Sequence, residues 1–332
     1  MAGRPLPDEF ALIARYFAPL AAGAPGACGL TDDVAAVDGI GAQDRLIIKT
    51  DAIVGGVHFL PGDAPDLVAR KLLRVNLSDL AGKGARPLGY VMTCAFPREI
   101  DETWLAAFVA GLAADQAEFG FALLGGDTTA TPGPVTLSAT LLGAAIDGRL
   151  PRRGDGRAGD AVLVSGSLGD GALGLDAQRQ AFPELDAAER AQLLDRYRLP
   201  QPRLALGRAL VEAGIVHASM DISDGLLADL GHVCDASGLG AEIDWPRVPL
   251  STPAARLVAA RPELLPRIIA GGDDYELLLT VAAGDVDRAM AVAASIGARL
   301  TAIGHLRTGS GVRIRDAQGR EIPINQSGYR HF

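Results

Sequence analysis

The sequence predicts an α/β protein built as two domains, and three observations carry that expectation. At 332 residues the chain exceeds the roughly 100–200 residues of one ordinary domain. A Pro/Gly/Arg-rich stretch from Gly148 to Gly159 gives way at once to a fresh apolar run, Ala161-Val162-Leu163-Val164. A boundary is therefore expected near residue 150, with one domain over 1–150 and the other over 151–332. Both halves mix short apolar runs of strand character with stretches of helical spacing, so each domain is expected to be α/β.

The elements follow in order. Leu46-Ile47-Ile48 is an apolar strand-like run, and Asp66 to Leu80 has helical spacing. Tyr90-Val91-Met92 reads as strand, Asp101 to Phe119 as a helix in which Leu105, Phe108, Val109 and Leu112 share one face, and Val135 to Leu142 as strand. Past the boundary, Ala161 to Val164 is a strand that runs into Gly166-Ser167-Leu168-Gly169-Asp170-Gly171. That turn has two readings, a tight strand-to-helix connection or a phosphate cradle. Leu226, Leu227, Leu230 and Val233 mark a helix whose first turn contains Asp224, and Glu276 to Thr280 reads as a late strand.

Composition removes several function classes. Lys+Arg 31 against Asp+Glu 40 leaves a net charge of −9, which repels polyanions and argues against a nucleic-acid partner. Cys28, Cys94 and Cys234 are odd in number and outside any CxxC, so neither a disulfide framework nor a zinc knuckle is expected. No stretch reaches the roughly 18 uninterrupted apolar residues of a membrane span, and Asp8 and Glu9 stand where an export signal needs a basic start. The expectation is a soluble, cytoplasmic protein.

Chemistry concentrates in short acidic motifs at expected element ends: Thr31-Asp32-Asp33, Lys49-Thr50-Asp51, Asn76-Leu77-Ser78-Asp79, Gly125-Gly126-Asp127, Asp221-Ile222-Ser223-Asp224 and Gly271-Gly272-Asp273-Asp274-Tyr275-Glu276. An Asp directly after an apolar run, as in Ile47 to Asp51 and Leu123 to Asp127, is expected at a strand mouth beside a ligand crevice. Taken singly, each is better explained by turn formation or capping; Asp224 at a helix start illustrates this, and Asn76 with Asp79 on one helical face reads equally as a solvated pair. Their recurrence points to function. Carboxylates about 4 Å apart repel by roughly 4 kcal/mol at an effective dielectric of 20, so several together call for cations. Oxygen-only donors suit Mg²⁺, which keeps waters and binds substrate phosphates, and this leads to a nucleotide triphosphate and phosphoryl transfer or hydrolysis. Asp33, Asp51, Asp79, Asp127 and Asp221 are the candidate metal ligands. No GxxxxGK[ST] is present, and Ala81-Gly82-Lys83-Gly84 is too short to replace it. Arg152, Arg153 and Arg157 form a basic cluster with two readings, solvated linker or phosphate fork, and His58 follows Gly55-Gly56 shortly after Asp51. Nothing marks a Ser/His/Asp or Cys/His nucleophile, so no covalent nucleophile or obligatory base is expected.

As an ordered set these residues resemble the thiamine-monophosphate kinase family. Phe10 to Phe17, Thr31-Asp32-Asp33, Lys49-Thr50-Asp51, Gly55 to Phe59, Asn76 to Leu80, Leu124 to Thr129, Asp221 to Leu226, Gly271 to Leu277 and Gly328 to Phe332 carry the resemblance along nearly the whole chain. It implies a two-domain fold of the aminoimidazole-ribonucleotide-synthetase type with mixed sheets and flanking helices. An N-terminal domain would bind ATP and metal and form a homodimer, and a C-terminal domain would complete the active site. It implies direct transfer from ATP to thiamine monophosphate, with Asp33, Thr50, Asp51, Asp79, Asp127, Asp221 and Asp224 holding several Mg²⁺ ions. It further implies that Gly126, Asp127, Arg153 and Ser223 contact ATP, and that His58 and Asp273 contact thiamine monophosphate. The chain departs from the family pattern at Thr31, where Gly is usual, at Lys49, where a small hydroxyl residue is common, at Asp273, where Glu is usual, and at Gln326, where an aromatic is common. Two other readings are a different ATP-using synthetase of the same superfamily, against which stands Phe332 rather than Cys as last residue, and a protein that binds Mg-ATP without turnover.

Overall fold

The computed structural model describes residues 12–24, 41 and 44–324. Among them the chain packs as two units: residues up to Leu80 with Arg86–Gly148, and Ala81–Ala85 with residues from Arg149 onward.

The first unit is built on β1 (Arg45–Val54), helix α1 (Pro65–Gly82), β2 (Arg86–Phe96), helix α2 (Glu102–Phe119), β3 (Ala122–Ala130) and β4 (Thr136–Ala145). The four strands form a mixed sheet in the order β1-β4-β2-β3, with only the β2–β3 pair parallel. Helix α2 starts where the Asp101 side chain accepts the Trp104 N–H at 2.9 Å and stops at Gly120, whose φ of 71° satisfies the left-handed cap. One sheet face is packed by Leu137, Ala139, Leu141, Tyr90, Met92 and Phe96, with Phe96 against Trp104 and Phe108 of α2 and Gly143 close to Leu80 of α1. The helices cross tightly, since a Cβ on Gly111 would fall 2.2 Å from the Asp66 carbonyl oxygen. Arg74, 1% exposed, forks onto the fully buried Asp115 between them. Along β1 the residues alternate, so Leu46, Ile48 and Thr50 point to the opposite face with Val91 and Thr140. Leu46, Ile48 and Val91 are 42%, 65% and 38% exposed there, an apolar face left open by the described residues.

The expectation that Asp51 and Asp127 follow their strands is corrected. β1 runs through Asp51 to Val54 and β3 through Asp127 to Ala130, because β4 and β2 offer ladder partners along the whole length.

The second unit comprises β5 (Ala161–Ser165), α3 (Asp170–Gln178), α4 (Ala187–Arg198), α5 (Leu204–Glu212), β6 (Val216–Ile222), α6 (Leu226–Ser237), β7 (Gly240–Asp244), α7 (Thr252–Ala260), α8 (Leu265–Ala270), β8 (Glu276–Val281), α9 (Val286–Ser295), β9 (Leu300–Arg307) and β10 (Val312–Arg315). Its six-stranded sheet has the order β10-β7-β9-β5-β8-β6, antiparallel except for β10–β7. Both faces are covered, which explains the unbroken apolar run in β5. Val162 and Val164 join Leu226, Leu230 and Val233 of α6 on one side. Ala161 and Leu163 join Leu206 and Leu210 of α5 and Ala289 and Ala293 of α9 on the other.

Candidate active site

In the first unit, alternation along β1 places Lys49 and Asp51 on the covered face, where α1 presents Asp79. The Lys49 ammonium lies 3.1 Å from Asp51 Oδ1 and 2.9 Å from Asp79 Oδ2, so a strand and a helix each bring one carboxylate to a single cation. Burial opposes the Lys49 charge, but Asp79 and Asp51 outweigh it and hold the ammonium above the usual lysine range. Asn76 and Ser78 are fully buried rather than solvated. Asn76 Nδ2 donates to the Leu72 carbonyl at 2.9 Å, while Asn76 Oδ1 and Ser78 Oγ have no hydrogen-bond partner among the described residues.

Thr50 and Asp127 lie elsewhere in that unit. The Thr50 hydroxyl, on the open face, donates to the Ala139 carbonyl at 3.2 Å and accepts from Thr140 at 3.0 Å. Asp127 pairs with exposed Thr93 on the same open face. Two strands separate β1 from β3, which at about 4.8 Å per step is roughly 14 Å. Asp51 and Asp127 thus stand on opposite faces of the sheet, on strands that are not neighbours. Gly126 is required by packing, since a Cβ there would fall 2.0 Å from the Met92 carbonyl oxygen.

His58 closes the turn after β1. The Val54 N–H donates to His58 Nδ1 at 3.1 Å and the His58 N–H to the Val54 carbonyl at 2.9 Å. With Nδ1 accepting, the hydrogen bonding places the proton of the neutral ring on Nε2.

A separate constellation forms in the second unit. Asp221, buried near the end of β6, leads into the loop carrying Ser223 and Asp224. Asp229 of α6 holds that loop by accepting the Ser223 and Asp224 N–H groups, both at 3.0 Å. Burial raises the Asp229 carboxyl to about 7, against the lowering by those two N–H bonds and by Arg153. Asp224, Asp229 and His232 each present a ligand atom within 4.8 Å of the others. The glycine-rich acidic loop docks on the same segment: the Asp273 N–H donates to the Ser223 carbonyl at 2.9 Å and the Tyr275 N–H to the Ile222 carbonyl at 2.7 Å. Asp273 and Tyr275 have φ of 69° and 52°, a left-handed conformation costly for residues with a Cβ. Arg153 sits in the 3-10 turn Arg153–Asp155, anchored by a Ser237 hydroxyl donating to its carbonyl at 3.2 Å, whereas Arg152 pairs with Asp155 at 2.8 Å.

The turn Gly166 to Gly171 is a structural connection. The Gly169 and Gly171 N–H groups donate to the buried Asp274 carboxylate at 2.7 and 3.1 Å, so an internal acid stands where a phosphate would. Beneath the acidic loop, Glu276 is fully buried and bound by Arg196, Arg203 and Ser165.

The structure thus brings Lys49, Asp51 and Asp79 together in one unit and Asp221, Ser223, Asp224 and Asp273 together in the other. Asp33 and Gln326 lie outside the described residues. Asp229 and His232 were not singled out from sequence, although their i, i+3 spacing behind Asp224 was a usable signal. Arg196 and Arg203 carried none, being about 80 residues from Glu276: the separations are 80 and 73.

Comparison with known proteins bears on both units. Residues 31–145 match the AIR synthase related protein, N-terminal domain, and residues 157–317 match its C-terminal domain. A thiamine-monophosphate kinase from Caulobacter vibrioides is 42% identical over 330 residues, 98% of this chain and 91% of that protein. The crystal structure of thiamine-monophosphate kinase from Stenotrophomonas maltophilia superposes with a TM-score of 0.79 at 37% identity, covering 88% of this chain and 91% of that one. AaThiL complexed with AMPPCP and TMP superposes with a TM-score of 0.77 at 28% identity, covering 91% of each chain.

Proposed function

We infer the activity from membership: the chain belongs to the thiamine-monophosphate kinase family of AIR synthase related proteins, and it transfers the terminal phosphoryl group of ATP to thiamine monophosphate, giving ADP and thiamine diphosphate. The observation that carries the reading is the pairing of Asp51 with Asp79 on one cation, an arrangement of acids around positive charge that caps and turns do not require.

The donor set fits magnesium. It consists of oxygens, the ligand type that hard divalent ions take, while Lys49 Nζ neutralises part of the charge between Asp51 and Asp79. The proposed ligands are Asp33, Thr50, Asp51, Asp79, Asp127, Asp221 and Asp224. They serve several ions rather than one, since Thr50 and Asp127 occupy a different sheet face from Asp51 and Asp79. Magnesium held by these residues would supply charge screening for the donor and acceptor phosphates.

The acceptor is itself a phosphate monoester, whose oxygen is nucleophilic at neutral pH without a base to remove an alcohol proton. That oxygen forms the new bond to the γ-phosphorus as the bond to the β,γ-bridging oxygen breaks, and ADP leaves with those electrons. No phosphoenzyme forms. His58 donates from Nε2 to the acceptor and orients it. Asp273 contacts thiamine monophosphate, held in place by its bond to Ser223, while Gly126, Asp127, Ser223 and the Arg153 guanidinium contact ATP. Residues 1–150 serve ATP and metal binding and dimerisation, and residues 151–332 contribute Asp221, Ser223, Asp224 and Asp273.

The open sheet face supports a homodimer. Leu46, Ile48 and Val91 are too exposed together for a solvated sheet, and a second copy is the partner that buries them. No helix among the described residues is long and apolar enough to cross a membrane, and we place the protein in the cytoplasm. The test is ADP formation with MgATP in the presence and absence of thiamine monophosphate. Acceptor-dependent ADP and thiamine diphosphate are expected. Binding without turnover would mark a nucleotide-binding protein, and turnover with a different acceptor would mark another synthetase of the superfamily.

A further inference from the structure

We propose that Lys49 is a built-in counter-ion that keeps a divalent ion out of the space between Asp51 and Asp79, so that the chain binds one divalent ion fewer than it would with a neutral residue at that position. The proposal rests on the magnesium reading above and concerns how this chain's own residues divide the neutralisation of its acids.

The geometry leaves room for one cation only. Asp51 Oδ1 at 3.1 Å and Asp79 Oδ2 at 2.9 Å both face Lys49 Nζ. Magnesium binds carboxylate oxygens at about 2.0–2.1 Å. An ion bridging the acids through Asp51 Oδ1 and Asp79 Oδ2 must take the volume the ammonium fills, and the two positive charges cannot share it. Lys49 is also held there by the backbone. It stands two residues before Asp51 on the same face of β1, and the ladder pairs Lys49 with Leu141 and Asp51 with Ala139. Its side chain is only 27% exposed, as is that of Asp79, which separates it from an ordinary solvated lysine. The consequence for charge is specific. Two carboxylates and one ammonium leave a net charge of −1, whereas a divalent ion would leave none, so the site is preassembled without metal from solution yet still attracts positive charge to its rim.

The experiment counts ions on the full chain, with Mn²⁺ as probe, by the loss of the free-ion paramagnetic resonance signal on titration. Parent, Lys49→Gln, Lys49→Ser and Lys49→Arg are compared, together with their melting temperatures in chelator and in Mn²⁺. Lys49→Gln and Lys49→Ser are expected to bind one more Mn²⁺ per chain than the parent, to melt lower in chelator, and to gain more from Mn²⁺. Lys49→Arg, which keeps the positive charge, is expected to keep the parent count. An equal count in parent and both neutral variants overturns the proposal. If a neutral variant is unfolded in chelator, its folding on Mn²⁺ with uptake of the extra ion supports the proposal, and failure of both neutral variants to take up that ion overturns it. The magnesium reading fails separately, when the parent itself takes up no Mn²⁺. A gain of one ion over that zero baseline still supports the role of Lys49, and no gain overturns it.

Discussion

Glu276→Gln removes one charge and changes almost nothing in shape, so its effect isolates the buried ion network under the acidic loop. Oε2 accepts from the Ser165 hydroxyl at 2.5 Å and Arg203 Nε at 2.7 Å, and Oε1 accepts from a second Arg203 nitrogen at 2.5 Å and from Arg196 at 2.7 Å. A glutamine offers one oxygen and one donating nitrogen, so its amide N–H must face a guanidinium or the serine, and at least one donor loses its acceptor. Breaking a buried pair by removing one partner costs about 3–5 kcal/mol. The Arg196 and Arg203 side chains keep 15% and 32% exposure, which favours the low end. At about 3 kcal/mol, and about 2–4 °C per kcal/mol for a body of this size, the melting temperature should fall by about 6–12 °C. Glu276 directly follows Asp273 to Tyr275, whose left-handed backbone needs a rigid support, so KM for thiamine monophosphate should rise as well. Thermal unfolding in chelator and steady-state kinetics measure the two. A melting temperature within about 2 °C of the parent, with unchanged KM, would refute the reasoning.

Asp51→Asn and Asp127→Asn should each lower turnover by at least about 100-fold, since each removes a proposed ligand of the magnesium that would screen the anionic phosphoryl transition state, and normal activity in either folded variant removes that residue from the mechanism. His58→Asn keeps an acceptor for the Val54 N–H and loses the Nε2 donor. It should raise KM for thiamine monophosphate about tenfold with a smaller loss of kcat, and a large fall in kcat at constant KM would instead place His58 at the transition state. Ile48→Glu puts a charge on the open apolar face and should yield monomers in sedimentation, whereas an unaltered dimer would move the interface elsewhere. Burial, reinforced by Asp170, holds the Asp274 carboxyl well above its ordinary 3.8 despite bonds from Gly169 and Gly171. The folded state therefore retains a proton that the unfolded chain gives up, and this group's contribution to stability is largest below about pH 4 and falls as pH rises through the interval up to the raised value. Asp274→Asn should flatten that decline in denaturant titrations across pH, and an unchanged slope would exclude Asp274 as its source.

Much of this architecture could be read along the chain because its causes are local. The helix expected over Asp101 to Phe119 is the observed α2 to within a residue, since Asp101 caps one end and Gly120 the other. The apolar run at Ala161 to Val164 reads as a strand, which the structure covers on both faces, and the recurrence of Asp beside Gly, Ser and Thr marks the segments that carry the candidate site. Strand order and register are different in kind. Whether Asp51 or Thr50 takes the covered face, and whether Asp127 lies beside Asp51 or three strand steps away, depends on which backbones pair, and a shift of one residue would reverse every side chain. Likewise Lys49 meets Asp79 only because α1 crosses the covered face of β1, and Arg196 and Arg203 reach Glu276 only because β8 lies beside β5 and carries it into their reach. The acid that fills the Gly166 to Gly171 turn comes from more than 100 residues away, 105 for Gly169 and 103 for Gly171. Local propensity has no term for such distances; they are set when the sheets close and bury their apolar faces.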